Sequence, residues 1–262
     1  MKATVFLGGG RITGALAAGL RLAGDRREIV VYDRHPEKVR GLRRESRVEM
    51  ARDLKSAIER AEILIVAVRP QSVKEILREV IACGAVPGLC VSLAAGIPLK
   101  NLRALLPARW VRAMPSPVCR IGKGLTGICF DRAVGKNERN QVKELFARVG
   151  QVIEISEQKF DAFTVTYSSS HGYHALTTLA RAAQVAGLDR ATALTAAGHA
   201  LADGIQYWRE SGVELEELLE EAATPGGIAA TTMAAMNRAG YGRAVRSGIR
   251  AGVALARKNA RR

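Results

Sequence analysis

A glycine-rich segment near the start of the chain has the residue types that bind a pyrophosphate. The apolar run from Ala3 to Leu7 is followed by three glycines and then by apolar residues at helical spacing. In a strand–turn–helix unit, glycines let the backbone approach a phosphate, and the helix N-terminus supplies N–H groups and a positive dipole. Gly8 and Gly10 fill the first two positions of a dinucleotide-binding fingerprint, whereas Thr13 stands at the third. Glycines also suit an ordinary tight turn, but with a second strand following we predict a cofactor site. Its residues here are Gly8, Gly10, Arg11 and Ile12.

The end of the second predicted strand, at residues 28–33, bears on which nicotinamide cofactor binds. An acidic residue such as Asp33 is the type that binds a ribose 2′-hydroxyl, whereas Arg34 suits a 2′-phosphate. Asp33 could equally orient Arg34 or cap the helix that begins near Pro36. We predict NADPH (NADP) as the preferred cofactor, with NADH (NAD) as the alternative.

Three further loops follow predicted strands and should lie at the same edge of the sheet. Ligands of open parallel sheets bind at the carboxyl ends of the strands, so we expect these loops to border the nicotinamide. Proline and glycine in these loops would also suit ordinary turns. The predicted residues are Val68, Arg69 and Pro70, then Ala94 and Ala95, and finally Met114, Pro115 and Ser116.

The elements that would position these residues form two blocks. Continuous apolar strands alternate with helices in the first block, which is typical of a parallel sheet covered on both faces. After about residue 155, Ala-rich helical stretches take over. The predicted fold is α/β plus all-α, with a Rossmann-type doubly wound parallel sheet over residues 1–155 and a helical dimerisation domain over 156–262. Strands are predicted at 3–7, 28–33, 62–68, 89–95 and 108–114 and near LTGICF and QVIEI, and C-terminal helices at 172–186, 190–211, 226–239 and 242–259.

Composition narrows the class of protein. The 40 Lys and Arg against 25 Asp and Glu give a net charge of +15, which can indicate nucleic acid, an anionic ligand or a basic solvated surface. Basic residues are spread from Arg11 to Arg262 and only five Phe and two Trp could stack on bases, so we do not expect nucleic acid as the primary partner. The apolar runs are too short to span a membrane, and we predict a cytoplasmic protein. Four cysteines without C-x-x-C spacing do not predict a disulfide framework or a metal site. The wide apolar faces of the C-terminal helices predict a homodimer.

The order of several motifs resembles that of the pyrroline-5-carboxylate reductases over essentially the whole chain. The motifs are VFLGGGRITGAL, ILIVAVRPQ, VSLAAGI, VRAMPSPV, GKGLTGI and ATPGGIAATTM. The resemblance implies a Rossmann domain, a helical dimerisation domain and the reduction of a cyclic imine, pyrroline-5-carboxylate, to proline with NAD(P)H in proline biosynthesis. It further implies a dimer, sometimes assembled into a decamer, whose active site combines the cofactor domain of one chain with helices of both.

The chain departs from the family at the start of one helix. Where the family has approximately S-G-S-G-P-A-Y, residues 168–174 read SSSHGYH. Lone histidines are more often structural, but two within four positions at an implied active-site helix could donate a proton to an imine nitrogen near neutral pH. We therefore predict His171 and His174 as catalytic, and Ser170 and Tyr173 as substrate-binding.

The implied substrate loop departs as well. In the family it reads approximately S-P-G-G-T-T, with backbone N–H groups holding the carboxylate and a threonine hydroxyl near the ring nitrogen. Here Ile228 and Ala229 replace the two threonines. Loss of one donor costs about 1–3 kcal/mol, which favours a changed substrate over an inactive fold. The alternatives are a paralogue that reduces another imine, a weak regulatory dinucleotide-binding protein, or a 3-hydroxyacid-type dehydrogenase. The predicted substrate-binding residues of this loop are Thr224, Gly226, Gly227 and Ala229.

Overall fold

The computed structural model describes residues 2–259, which fall into two compact units. The first unit runs to Tyr167 and also includes the chain from Ala251 onward, and the second is Ser168–Arg250. A mostly parallel sheet with flanking helices makes up the first unit, and the second is helical. The predicted fold class is thereby confirmed.

The first unit is built on one eight-stranded sheet. The strands are β1 (Ala3–Leu7), β2 (Ile29–Tyr32), β3 (Glu49–Met50), β4 (Ala61–Val66), β5 (Leu89–Ser92), β6 (Arg109–Met114), β7 (Gly124–Phe130) and β8 (Gly150–Glu154). Their order across the sheet is β3-β2-β1-β4-β5-β6-β7-β8. The chain thus winds outward in both directions from β1, and the carboxyl ends of β1 and β4 lie side by side where the direction of winding changes.

One strand pair departs from the predicted parallel arrangement. β6 and β7 are antiparallel, with Val111 opposite Phe130 and Met114 opposite Gly127. Only a short 3₁₀ turn, Pro117–Ile121, lies between these strands. A parallel crossover needs a dozen or more residues, usually a helix, so this short connection returns the chain antiparallel.

Seven helices of the first unit cover the two faces of the sheet. They are α1 (Arg11–Leu22), α2 (Pro36–Ser46), α3 (Leu54–Glu59), α4 (Pro70–Ala82), α5 (Leu99–Leu105), α6 (Lys136–Ala147) and α7 (Glu157–Thr166). Side chains alternate between the faces, so that Val5 and Leu64 lie in one core and Phe6 and Ile65 in the other. Burial of each such side chain contributes about 1.5–3 kcal/mol.

The second unit contains α8 (Ser169–Val185), α9 (Arg190–Ser211), α10 (Leu215–Ala222) and α11 (Ile228–Arg238). The last helix, α12 (Tyr241–Asn259), begins in the second unit and ends in the first. A small core of Ala180, Ala193 and Ala197 joins α8 to α9. The short β3 and α10 were not among the predicted elements.

The helix α7 belongs to the sheet unit. Phe160 is buried in one of the sheet's cores. The buried guanidinium of Arg112, on β6, forms ion pairs with Glu157 at 3.1 Å and Asp161 at 2.9 Å. The sequence-based domain boundary at 155/156 therefore differs from the division into compact units, which falls after Tyr167.

Candidate functional site

The first glycine of the turn after β1 is required by its surroundings. Gly8 has a φ of +111°, which L side chains rarely adopt, and a Cβ there would lie 2.7 Å from the carbonyl oxygen of Ala67. The N–H of Gly8 donates to the carbonyl of Tyr32 at 2.7 Å. These contacts fix the backbone where β1 ends.

The rest of the turn leads into the N-terminus of α1. Gly10 is the N-cap, and its missing Cβ would meet nothing within 4 Å. The first N–H groups of a helix have no partner inside the helix, and here the first turn of α1 lines a cavity. Thr13 is buried, and its hydroxyl donates to the carbonyl of Gly8 at 2.6 Å. The residue at the third glycine position thus ties the helix to the turn.

Asp33 holds two backbone segments together. One carboxylate oxygen accepts from the N–H of Gly9 at 2.7 Å, and the other accepts from the N–H of His35 at 2.8 Å. The Lys38 Nζ lies 3.7 Å from Oδ1 of the same carboxylate. These bonds give Asp33 a role that the sequence did not suggest, support of the glycine turn, and they also hold the backbone just before α2.

Arg34 extends from the loop after β2 toward α4. Its guanidinium pairs with Glu75 at 3.0 Å and with Glu79. The hydrogen bond with Glu75 raises the pKa of Arg34 above its ordinary value, so the group is always charged. Both pairs are solvent-exposed and contribute at most about 1 kcal/mol each, so an incoming anion can displace them.

A cavity of about 710 Å³ lies against the glycine turn, at the carboxyl ends of the strands. It brings together seven of the predicted cofactor residues, namely Gly8, Gly10, Arg11, Ile12, Arg34, Val68 and Arg69. It is also lined by residues that the sequence interpretation did not assign to the site, namely Tyr32, His35, Lys38, Ala67, Ser72 and Ile76, and by Asp33. His35 and Lys38 add basic groups close to Arg34. Their positions, one and four residues after Arg34, could have indicated them as site residues from the sequence. Burial raises the pKa of Tyr32, which keeps its hydroxyl neutral.

The remaining predicted cofactor residues do not line this cavity. Pro70 opens α4, and the N–H of Ala94 donates to the Ser92 hydroxyl at 3.3 Å. The buried hydroxyl of Ser116 lies 2.8 Å from that of Tyr167, which also accepts from the N–H of Leu125. Their assignment to the nicotinamide end of the site stays a prediction, as it does for Ala95, Met114 and Pro115.

The predicted catalytic histidines lie in the first turns of α8, in the second unit. His171, Tyr173 and His174 are exposed, and the hydroxyls of Ser168 and Ser170 lie 2.7 Å apart. His174 follows His171 by three positions, so the two share one side of the helix. Their catalytic role stays a prediction.

The predicted substrate loop forms a tight turn before α11. Gly226 has a φ of +79°, and the N–H of Gly227 donates to the carbonyl of Thr224 at 2.9 Å. Gly227 is the N-cap, so the first turn of α11 offers backbone N–H groups as an anion site would. The hydroxyls of Thr231 and Thr232 donate to the carbonyls of Gly227 and Ile228, one turn back along the helix. They are therefore not substitutes for threonines at positions 228 and 229.

Two family models match the chain. Residues 4–96 match a model described as NADP oxidoreductase, coenzyme F420-dependent, and residues 157–259 match one described as pyrroline-5-carboxylate reductase dimerisation. A pyrroline-5-carboxylate reductase of Corynebacterium melassecola is 32% identical over 246 residues, which cover 90% of this chain and 89% of the relative. The chain belongs to the pyrroline-5-carboxylate reductase family. A second relative, a pyrroline-5-carboxylate reductase from a Synechocystis strain, is 29% identical over 253 residues, which cover 94% of each chain.

Solved structures of the pyrroline-5-carboxylate reductase family share the fold. The enzyme of Plasmodium falciparum, solved with NADP bound, has a TM-score of 0.87 at 18% identity and covers 99% of this chain and 98% of its own. That of Coxiella burnetii has a TM-score of 0.86 at 22% identity, with 98% of both chains covered. The resemblance drawn from the motifs is confirmed.

Two general properties follow for this family member. Within residues 2–259, none of the helices has the length and apolar character needed to cross a membrane. Among the same residues, His, Cys, Asp and Glu side chains form no group of three suited to a metal ion. Cys90, Cys119 and Cys129 are buried, and burial raises the pKa of Cys90 to about 12.

Proposed function

We propose that this chain reduces pyrroline-5-carboxylate to proline with NADPH, as a step of proline biosynthesis. The observation that carries the proposal is membership of the family over nine-tenths of the chain. The cavity at the glycine turn supports it independently, because its volume and basic lining suit a phosphorylated dinucleotide.

The cofactor would be held by the first unit. The open space beside Gly10 leaves room for a pyrophosphate at the N-terminus of α1, and the packing of Gly8 against Ala67 fixes the turn next to it. Arg34, His35 and Lys38 would surround a 2′-phosphate, which favours NADPH over NADH. When bound, the dihydronicotinamide supplies a hydride to the imine carbon.

The substrate would be held by the second unit. The N–H groups at the start of α11 would bind the carboxylate, and the exposed Thr224 of the same turn would add a hydroxyl donor. The His171 or His174 imidazole would hold a proton near the imine nitrogen, because the protonated iminium accepts hydride more readily. Positioning the two reactants contributes more to such a reaction than covalent chemistry by the protein.

A second candidate is the reduction of a different cyclic imine. Ile228, at the position of a family threonine, is 89% exposed at the N-terminus of α11. A branched apolar side chain at this point favours a substrate with more apolar surface beside its carboxylate. Cofactor use and reaction type are the same in both candidates.

The test is oxidation of NADPH and NADH by the purified full chain with pyrroline-5-carboxylate, beside an Ala229→Thr variant. We expect turnover with NADPH by the wild-type chain and a higher kcat/KM in the variant, by about tenfold if the hydroxyl contacts the transition state. If the chain binds NADPH but neither form turns over pyrroline-5-carboxylate or any other cyclic imine, the proposal is wrong. Turnover only with another imine would establish the second candidate.

We further propose a homodimer formed through the second unit, with a higher oligomer as the alternative. The match of residues 157–259 to a dimerisation domain supports this assembly. Several large apolar side chains of this unit are exposed in the single chain, among them Ile205, Tyr207 and Trp208. Light scattering after size-exclusion chromatography would give the mass directly. A monomer at micromolar concentration would contradict the proposal, whereas the cytoplasmic location stays a prediction.

A further inference from the structure

A second cavity lies at the other edge of the sheet, and the proposed reaction does not use it. Its volume is about 760 Å³, and it is lined at the amino ends of β1 and β2 by Ala3, Thr4 and Ile29. Cofactors of this fold bind at the carboxyl ends of the strands, so this cleft is separate from the dinucleotide cavity. We call it the amino-edge cleft.

Two carboxylates of the amino-edge cleft share one cation. Arg60 pairs with Glu28 and with Glu49, in each case at 2.5 Å. The hydrogen bond from Arg60 lowers the pKa of Glu49, which stays ionised and paired. A third carboxylate, that of Glu62, accepts a hydrogen bond from the amide of Gln141 at 2.6 Å.

Two cations of the cleft serve the structure around it. The guanidinium of Arg21 donates to the carbonyls of four residues, and these bonds join the end of α1 to the end of α2. Those residues are Asp25, Arg27, Ser46 and Arg47. Arg27 pairs with Asp25 at 2.6 Å. Arg27 is therefore paired with a carboxylate, whereas Arg21 keeps its charge and is held in place by backbone carbonyls.

Four other cations line the cleft, namely Lys2, Arg26, Arg43 and Arg47. Among residues 2–259 none of them has a carboxylate within ion-pair distance, although Arg43 is close enough to Glu49 to help lower the pKa of that carboxyl. Exposed cations gathered around one concave surface repel one another, and the repulsion is relieved when an anion enters. Six Lys and Arg side chains line the cleft against three Glu, so its lining carries a net positive charge. Part of the net charge of +15, which the reductase reaction does not explain, is located here.

Arg47 adds a second, independent observation. It ends α2 with a φ of +49°, and it is the only non-glycine residue with a positive φ in the described part of the chain. Helices commonly end in this conformation, but the residue is then usually glycine or asparagine. An arginine here accepts a conformational penalty that glycine would avoid, and strained residues of this kind cluster at ligand sites.

We propose that the amino-edge cleft binds a triphosphate, either the inorganic ion or a nucleoside triphosphate, through Arg26, Arg43 and Arg47. A triphosphate carries about as many negative charges as the cleft has unpaired cations, and guanidinium groups bind phosphate oxygens in a bidentate manner. The cleft volume is within the range of small-molecule sites. Ile29, Val48 and Ile63 give it an apolar wall against which an organic group could pack.

The test is isothermal titration of the full chain with inorganic triphosphate and with ATP, in saturating NADPH so that the dinucleotide cavity is blocked. We expect binding by the wild-type chain and at least a roughly tenfold weaker affinity in Arg43→Gln. Arg47→Gly should weaken binding similarly while its melting temperature stays at or above that of the wild type. The matched control is Arg44→Gln, which removes the same charge from α2 outside the cleft and should change the affinity less than about twofold.

Both probes can support the proposal and tell the two ligands apart. Tighter binding of ATP than of inorganic triphosphate would assign the apolar wall to a nucleoside, and equal binding would assign the site to the phosphate chain alone. No binding by the wild-type chain would overturn the proposal. An equal loss in Arg44→Gln would overturn it as well, as would tighter binding of duplex DNA that is insensitive to Arg43, because either result indicates diffuse surface charge.

Discussion

Two glycine turns precede helices in this chain, and they are held in different ways. Gly8, before α1, is buried against the carbonyl of Ala67, and the carbonyl of Gly8 accepts a hydrogen bond from the buried Thr13 hydroxyl. Gly226, before α11, is exposed, and a Cβ there would meet nothing within 4 Å. The Thr231 hydroxyl also donates to a glycine carbonyl, that of Gly227, but at the surface.

The different surroundings of the two turns distinguish residues that the fold requires from residues that a ligand requires. Neighbouring strands and helices fix the first turn, so its glycines and Thr13 are needed for folding even without a cofactor. The second turn is fixed only by its own backbone, so its side chains are free to follow the substrate. Ile228 and Ala229 can therefore change the choice of imine while leaving the stability of the fold intact.

The largest effect should come from Gly8→Ala. The added Cβ meets a backbone oxygen at 2.7 Å in a conformation that alanine disfavours, so the free energy of unfolding should fall by about 3 kcal/mol or more. Urea denaturation measures this change. Gly10→Ala is the control, since its Cβ enters open space and should alter stability by less than about 0.5 kcal/mol while weakening NADPH binding. Equal stabilities of the two variants would contradict this account of the first turn.

Arg34→Gln should change cofactor preference rather than stability. Loss of a charged donor to the 2′-phosphate should raise the KM for NADPH by about tenfold or more and leave that for NADH within about twofold. Steady-state kinetics with both cofactors gives the ratio. Arg40→Gln, at an exposed position of α2 outside the cavity, should leave the ratio unchanged, and a similar loss in both variants would show that general surface charge is responsible.

A pair of threonine variants compares the two turns directly. Thr13→Val removes a buried hydrogen bond and should lower the free energy of unfolding by about 1–2 kcal/mol. Thr231→Val removes the corresponding exposed bond and should lower it by less than about 0.5 kcal/mol. Thermal or urea unfolding of both variants is sufficient, and equal losses would mean that the second turn is also part of the fold's framework.

The smallest effect is expected from Gly226→Ala. The residue has a φ of +79° but open space around it, so only the conformational penalty of about 1 kcal/mol applies. The same unfolding measurement would detect it. A loss as large as that of Gly8→Ala would point to packing around this turn that the single chain lacks.

The sequence predicts most of the sheet because β1, β2 and β5 are short runs of mostly apolar residues, and β4 and β6 are mostly apolar despite Glu62 in β4 and Arg109 and Arg112 in β6. It does not reveal β3, since two exposed residues carry no periodic pattern. The helix α10 did have a signal, with Leu215, Leu218 and Leu219 at helical spacing. The antiparallel direction of β7 depends on the short connection before it. The residue pattern alone does not show that this connection is too short to contain a crossover helix.

The candidate site was predictable where it follows strand ends and not where it depends on contacts across the chain. Gly8, Gly10 and Arg34 could be placed from the glycine fingerprint and the end of β2. The role of Asp33 could not, because its bond to the N–H of Gly9 joins residues 24 positions apart. Lys38 enters the cavity only because α2 begins beside the turn.

The two outer strands of the sheet affect how the protein behaves at high concentration. β3 has only two residues, too few to template another strand. β8 carries Glu154, which pairs with Arg139 at 3.1 Å and Lys143 at 3.0 Å, so an approaching strand meets charged groups. Both margins of the sheet are thus poor templates for the addition of a strand from another copy of the chain.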